Sequence, residues 1–142
     1  MKLIDANLLI YAANARAPKH DATRDWLNRT LSASETVALP WAVLLAFVRI
    51  TTNAKIMVPP LATSEALGYV EDWLALECVI VPTPTKRHVA LLRELLAATG
   101  VGGNLVSDAH LAALAIEHGA TLCSCDSDFA RFPGLEWIDP IG

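Results

Sequence analysis

The sequence predicts an α/β fold: a three-layer α/β/α domain with a central, mostly parallel sheet. Two observations support this prediction. Short apolar segments alternate along the chain with longer segments of helical periodicity, and the short segments are apolar at successive positions, as expected of strands buried on both faces. The chain has 142 residues, of which 54% are hydrophobic. We therefore expect one domain over residues 1–142 with a single core.

Five short apolar segments are predicted to be the strands. Pro40 and Pro82 follow the second and third segments directly, and proline stops a strand because it cannot donate to the ladder. The predicted strands are 3–4, 36–39, 79–81, 121–123 and 136–138. Because ligands of such sheets bind beyond the carboxyl ends of the strands, we expect the functional residues there.

The segments between the strands have the apolar spacing of helices. The predicted helices cover about 20–31, 41–52, 63–74, 85–98 and 108–118. In the second of these, we expect the core-facing stripe to consist of Trp41, Leu44, Leu45 and Val48. Thr63 or Ser64 is the expected cap of the third helix, and Gly100 is placed to end the fourth.

Charge and cysteine content limit which ligands the protein can attract and which compartment it is expected in. The formal net charge is −4, so the chain lacks the global basic field that attracts nucleic acid, and such a ligand would need a local patch or a metal. Three cysteines without disulfide-like spacing are typical of a reduced compartment. Apolar runs are short and no export signal is evident. We expect a cytoplasmic protein with no membrane partner.

Four aspartates are candidates for a catalytic site. Asp5 follows the first strand, Asp126 and Asp128 follow the fourth, and Asp108 opens the helix that leads into the fourth. Each alone is better explained as a helix cap or turn residue. Together they would repel one another at one sheet edge unless a cation were bound. Oxygen ligands suit Mg²⁺ or Mn²⁺, so a hydrolytic metal site is the favoured interpretation.

Three polar residues could support this site. Asn7 lies two positions after Asp5, and Ser124 lies two positions before Asp126. Either could hydrogen-bond a ligand, although both are also ordinary turn residues. Arg49 is the cation of the predicted helix 41–52 and could orient a phosphate or a carboxylate; the competing interpretation is a solvated helix face.

The acids lie in three segments that together are similar to a known family. They read LIDANLLIYA at 3–12, GNLVSDAHLA at 103–112 and LCSCDSDF at 122–129. In order and spacing they resemble the PIN-domain ribonucleases, most closely the VapC-type toxins of bacterial toxin–antitoxin pairs. The resemblance implies a metal-dependent endoribonuclease for structured RNA such as tRNA or rRNA, a homodimer, and a cognate antitoxin that covers the active site. It also implies that Asp5, Asp108 and Asp126 hold the metal, with Asp128 as an accessory acid.

One position departs from the pattern of the family. The family usually carries a second acid in a stretch like Glu-Phe-x-Arg, and here residues 44–49 read LLAFVR. Ala46 therefore stands where the acid is expected, one helical turn before Arg49. The alanine is either a natural loss or a deliberate replacement that silences a toxic enzyme, and we favour the second. In both cases the resemblance implies reduced activity.

Two other functions compete with the ribonuclease. A phosphohydrolase could use Asp5 as a covalent nucleophile, although such a site would need a second acid where Asn7 stands. A catalytically dead module with the same fold could bind only an antitoxin or RNA, and Ala46 keeps this alternative open. A trapped phosphoenzyme would support the first alternative, and partner binding without cleavage would support the second.

Overall fold

The computed structural model describes residues 1–100, 102–103 and 105–142. Val101 and Asn104 lie outside the described residues, so Asn104 of the segment 103–112 is not placed. Within the described part of the chain, no helix is both long and apolar enough to cross a bilayer.

Five strands form one sheet, and this confirms the α/β class. They are β1 (Lys2–Ile4), β2 (Val37–Ala38), β3 (Val79–Ile80), β4 (Thr121–Cys123) and β5 (Trp137–Ile138). Their order is β3-β2-β1-β4-β5, and every neighbouring pair is parallel. Because β1 pairs with β4 at the middle of the sheet, the carboxyl ends of these two strands lie side by side.

In the described part of the chain, six helices and one 3₁₀ turn connect the strands. They are α1 (Ala6–Ala13), α2 (His20–Ser32), α3 (Trp41–Thr51), α4 (Thr63–Leu74), α5 (His88–Thr99), α6 (Leu105–Glu117) and the 3₁₀ helix Ser127–Arg131. Helix α1 packs against α2 and α3, α3 packs against α4, and α5 packs against α6. The helices cover a sheet that is buried on both faces, since successive strand residues Leu3, Ile4, Leu122 and Cys123 are all 0% exposed.

Helix α1 was not predicted from the sequence. Its eight residues, ANLLIYAA, are apolar almost throughout, so no polar face marks a helical period. Asp5 begins the helix as its N-cap, with Oδ1 accepting a 2.7 Å hydrogen bond from the backbone N–H of Ala6. The first candidate acid is therefore also a capping residue.

The predicted core-facing stripe of α3 is wrong for Trp41 and Leu45, whereas Leu44 is buried and Val48 packs against the core. Trp41 is 52% exposed and Leu45 61% exposed, whereas Val43, Leu44 and Phe47 are buried. The helix is apolar on nearly every side, so the sequence pattern could not define its rotation about its axis. Trp41 and Leu45 consequently present an apolar patch at the surface.

The N-cap of α4 and the start of α6 also differ from prediction. Ala62, rather than Thr63, is the N-cap of α4, where Glu65 Oε1 accepts a 3.1 Å hydrogen bond from the Ala62 backbone N–H. That bond supplies half of a capping box without a capping hydroxyl. Helix α6 begins at Leu105, so Asp108 lies within the first turn and does not open the helix. Its carboxylate still lies near the positive end of the helix dipole.

Candidate metal and active site

The site is built where β1 and β4 end. Asp5 directly follows β1, and Ser124 directly follows β4. The backbone N–H of Asp5 donates a 3.0 Å hydrogen bond to the carbonyl of Cys123. The two strand ends are thus fixed together, which is the location that parallel sheets favour for ligands.

The hydroxyl group of Ser124 links three parts of this edge. It donates a 2.8 Å hydrogen bond to Asp5 Oδ2, and accepts bonds from Asn7 Nδ2 at 3.1 Å and from the backbone N–H of Asp126 at 3.0 Å. Ser124 is 0% exposed, so these three bonds satisfy the hydroxyl fully. The indole N–H of Trp137 also donates a 3.0 Å hydrogen bond to the backbone carbonyl of Ser124. Asn7 and Ser124 therefore join Asp5 to the start of the 126–128 turn by hydrogen bonds.

Three carboxylates come together beside this network. Asp108, Asp126 and Asp128 each offer an oxygen atom, and these oxygens lie within 4.8 Å of one another. Asp126 Oδ1 also accepts a 2.9 Å bond from the backbone N–H of Asp128, which caps the 3₁₀ helix. An octahedral Mg²⁺ with oxygens at about 2.1 Å requires ligand separations of about 3 Å or about 4 Å. The donor chemistry and the spacing of this trio therefore fit a hard divalent cation.

This trio differs from the expected ligand set in one member. The sequence favoured Asp5, Asp108 and Asp126, with Asp128 as an accessory acid, whereas the close group contains Asp128 instead of Asp5. Both carboxylate oxygens of Asp5 already accept hydrogen bonds, from Ala6 and from Ser124. Asp5 nevertheless lies close enough for its charge to raise the pKa of Asp108.

Burial and mutual repulsion raise the pKa values of two of these acids. Burial raises the pKa of Asp108 to about 6, and the charges of Asp126, Asp5 and Asp128 add to the shift. Burial also raises the pKa of Asp5, against the opposing hydrogen bonds from Ser124 and Ala6. Repulsion of this kind is relieved when a cation binds.

A cavity of about 620 Å³ opens beside the acids. Asp5, Asn7 and Asp108 line it, together with Ala46 and Arg49 of α3. Ala46 and Arg49, one helical turn apart, thus line the same cavity as Asp5. Within the described residues, no carboxylate lies within ion-pair distance of Arg49. Arg49 is therefore a free cation on the wall of an otherwise acidic and apolar cavity.

One group near the site was missed from the sequence. His110 lines the cavity, and its Nδ1 is 2.9 Å from His88 Nε2. His88 Nδ1 is in turn 2.9 Å from Glu117 Oε2. The two histidines lie 22 residues apart on α5 and α6, so no local spacing could pair them. Thr85, expected inside α5, instead precedes it and donates a 2.7 Å hydrogen bond to Glu117 Oε1.

Sequence comparison agrees with the fold. Residues 2–135 match the PIN domain family. The chain is 45% identical over 140 residues to Ribonuclease VapC37 of Mycobacterium tuberculosis, covering 99% of this chain and 97% of that protein. It is 37% identical over 141 residues to Ribonuclease VapC33 of the same species, covering 99% of both.

Solved structures share the fold at lower identity. VapBC2 from Rickettsia felis, crystallised with a DNA fragment from its promoter, superposes with a TM-score of 0.70 at 20% identity, over 96% of both chains. Mycobacterium tuberculosis VapC20, described as a sarcin–ricin loop cleaving toxin, gives 0.67 at 18% identity, over 96% of this chain and 99% of that one. The chain thus belongs to the PIN-domain family, among the VapC ribonucleases.

Proposed function

We propose that this chain is a metal-dependent endoribonuclease toxin that cleaves structured RNA, such as tRNA or rRNA, and is neutralised by a cognate antitoxin. The observation that carries the proposal is the trio of Asp108, Asp126 and Asp128, whose oxygens lie within 4.8 Å beside a cavity. The names of its relatives support it, because VapC37 and VapC33 are ribonucleases at 45% and 37% identity over the full chain.

The proposed cofactor is Mg²⁺ or Mn²⁺, held by Asp108 and Asp126 with Asp5 or Asp128 completing the acidic set. When bound, such an ion supplies Lewis acidity and neutralises charge on the phosphodiester during hydrolysis. The buried network around Ser124 holds Asp5 and the start of the 126–128 turn in place. We assign these two elements to the orientation of the carboxylates, because small misplacements of reacting groups cost much rate.

Arg49 is proposed to hold the substrate. It lines the cavity next to Ala46, and a guanidinium group without a carboxylate partner suits a phosphate oxygen. The net charge of −4 gives no global attraction for RNA, so contacts of this local kind have to supply it.

Ala46 is proposed to reduce the activity. It lines the cavity on α3, where the PIN-domain pattern has an acid, and a methyl group cannot bind a cation. The same observation favours a second candidate function, a PIN fold that binds antitoxin or RNA without cutting. A phosphohydrolase with Asp5 as nucleophile has no such support, because Asn7 stands where such a site needs its second acid.

The proposed assembly is a homodimer bound by its antitoxin. VapBC complexes of Rickettsia felis and Salmonella typhimurium share the fold, and we extend their toxin–antitoxin pairing to this chain as a proposal. The exposed Trp41 and Leu45 of α3 are the apolar surface we assign to the contact between two copies.

The experiment that tests the function is the mapping of RNA cut sites after induced expression. The chain as given, Ala46→Glu and Asp126→Asn are expressed in parallel, and new RNA 5′ ends are sequenced. We expect cuts at one structured RNA site that are strongest for Ala46→Glu, weaker for the unmodified chain and absent for Asp126→Asn. Identical 5′ ends in all three cultures would overturn the proposal, and cutting by none of them would leave the binding module as the better account.

A further inference from the structure

A chain of three hydrogen-bonded side chains runs from the far end of α6 to the cavity. Glu117 Oε2 lies 2.9 Å from His88 Nδ1, and His88 Nε2 lies 2.9 Å from His110 Nδ1. The side chain of Glu117 is 0% exposed and that of His88 only 12% exposed. Glu117 is also anchored by Thr85, which donates to Oε1 from its hydroxyl at 2.7 Å and from its backbone N–H at 3.3 Å.

The donor and acceptor roles along this chain follow from the carboxylate. An ionised carboxylate only accepts, so His88 must donate from Nδ1. In a neutral imidazole the other nitrogen is then an acceptor, so His88 Nε2 accepts the Nδ1–H of His110. By the same rule the Nε2 of a neutral His110 carries a lone pair and no hydrogen. Glu117 therefore sets the tautomer of a histidine two links away.

His110 lies on the wall of the candidate active site, and Nε2 is the ring nitrogen that the bond to His88 leaves free. It lines the same cavity as Asp108 and Leu92, and its Nδ1 is used by His88. Among the described residues, Nε2 has no hydrogen-bond partner. A ring nitrogen held as an acceptor at a binding cavity is suited to a hydroxyl donor.

We propose that His110 is a substrate-contacting residue whose Nε2 accepts a hydrogen bond from a ribose 2′-hydroxyl of the bound RNA, and that His88 and Glu117 are its positioning residues. This inference rests on the proposed ribonuclease function. The 2′-hydroxyl is the donor that distinguishes RNA from DNA along a strand. The Glu117–His88–His110 chain is accordingly a device for selecting ribose next to the cleavage centre.

The first test reads the tautomers directly. Nitrogen-15 spectra of the histidine-labelled full-length chain, in metal-free buffer, should show His110 protonated at Nδ1 and bare at Nε2. Glu117→Gln is a matched variant of the same shape. In this variant, the two Thr85 donors keep the oxygen of the new amide on their side, so its NH₂ group faces His88 Nδ1. Both histidines should then switch to the Nε2–H tautomer. If Nε2 of His110 is unprotonated in both the unmodified chain and Glu117→Gln, the positioning chain is overturned. If Nε2 of His110 is protonated in the unmodified chain, the acceptor role is overturned.

The second test uses the same spectra to detect ribose. A random-sequence 20-nucleotide RNA pool is titrated in, followed in a separate sample by the DNA pool of equal length. We expect the Nε2 resonance of His110 to shift with RNA and not with DNA, while His118, which bonds the carbonyl of Thr83, shifts with neither. Equal shifts with both pools would exclude a ribose contact, whether or not the chain cuts RNA.

The third test measures the energetic link by cleavage. An oligonucleotide with the mapped cut site is made with single 2′-deoxy substitutions at the flanking riboses. One of these substitutions should slow cleavage by the unmodified chain about fivefold to tenfold, which corresponds to the loss of one hydrogen bond. His110→Asn keeps a polar group towards His88 but lacks Nε2. It should slow the all-ribose substrate by a similar factor and be insensitive to the deoxy change, whereas His118→Asn should behave as the natural chain.

The outcomes separate this inference from the proposed function. One outcome is that the chain cuts RNA, and that His110→Asn on the 2′-deoxy substrate is slowed by the product of the two separate factors. In that case His110 does not contact that ribose, and the inference fails while the proposed function stands. If no RNA is cut by any version, the function fails, and the spectra with RNA and DNA still decide the contact.

Discussion

The Ser124 hydroxyl donates a 2.8 Å hydrogen bond to the carboxylate of Asp5, joining residues 119 positions apart in the sequence. Each of the two directly follows a strand, Asp5 after β1 and Ser124 after β4, and these strands are neighbours in the sheet. Because the same hydroxyl also accepts from Asn7 and from the backbone of Asp126, one side chain connects two of the three acidic segments of the site.

We predict that Ser124→Ala destabilises the protein by about 1–3 kcal/mol, since it leaves buried partners without their hydrogen bonds. Urea unfolding followed by circular dichroism measures this loss. Ser34→Ala, at an exposed serine, is the matched control and should change little. A loss for Ser124→Ala no larger than that of the control would show that the hydroxyl does not hold the edge together.

The strand ends were predictable, but their contacts were not. The apolar segments before Asp5 and Asp126 marked both residues as strand-end acids. The hydrogen bonds of Ser124 depend on the pairing of β1 with β4, which no local pattern reports. The sequence therefore indicated a set of candidate acids but not which of them lie closest to one another.

The largest error in the fold prediction has a similar cause. Helices α1 and α3 pack against each other and are apolar on almost every side. Without a polar face, periodicity could neither detect α1 nor orient α3, and Trp41 and Leu45 were assigned to the core although they are exposed. The amphipathic helix α2, with a clear polar face, was predicted to within one residue.

We predict that Asp108→Asn stabilises the metal-free protein at neutral pH. The pKa of Asp108 is raised from 3.8 to about 6 in the folded state, so between these values the folded state binds more protons than the unfolded state. The unfolding free energy therefore falls as pH rises through this window. After allowance for solvent screening of a half-buried group, the variant should be more stable by about 1 kcal/mol at pH 7.5.

The measurement is urea unfolding in EDTA at pH 4 and pH 7.5. The gain from Asp108→Asn should shrink towards zero at pH 4, and exposed Asp72→Asn should show no such trend. A gain that is equal at both pH values would mean that burial and neighbouring charges do not strain Asp108.

We predict that the chain is a homodimer and that Leu45→Lys dissociates it. Leu45 is 61% exposed and shares the surface of α3 with Trp41, and a charge there opposes an apolar contact. Light scattering should give twice the chain mass of 15.3 kDa for the natural chain and for Val89→Lys, a change at an equally exposed residue of α5. A monomer mass for the natural chain across a wide concentration range would contradict the dimer.

We predict that Ala46→Glu tightens Mn²⁺ binding by about tenfold and raises RNA cleavage, because an added carboxylate on the cavity wall gives a hard cation another anchor. The helix should be almost unaffected, since glutamate is a good helix former. Ala97→Glu, on the exposed side of α5, adds the same charge away from the cavity and serves as the control. Equal affinity and cleavage for the natural chain and Ala46→Glu would show that residue 46 is not the position of the missing acid.

The most direct test of the carboxylate site is a calorimetric titration of Mn²⁺ into the natural chain and into Asp126→Asn. Asp126 belongs to the trio whose oxygens lie within 4.8 Å, and its loss removes both a ligand and a charge. The account predicts one Mn²⁺ per natural chain and an affinity weaker by about tenfold or more in the variant. The same affinity in both proteins would contradict a metal site at these carboxylates.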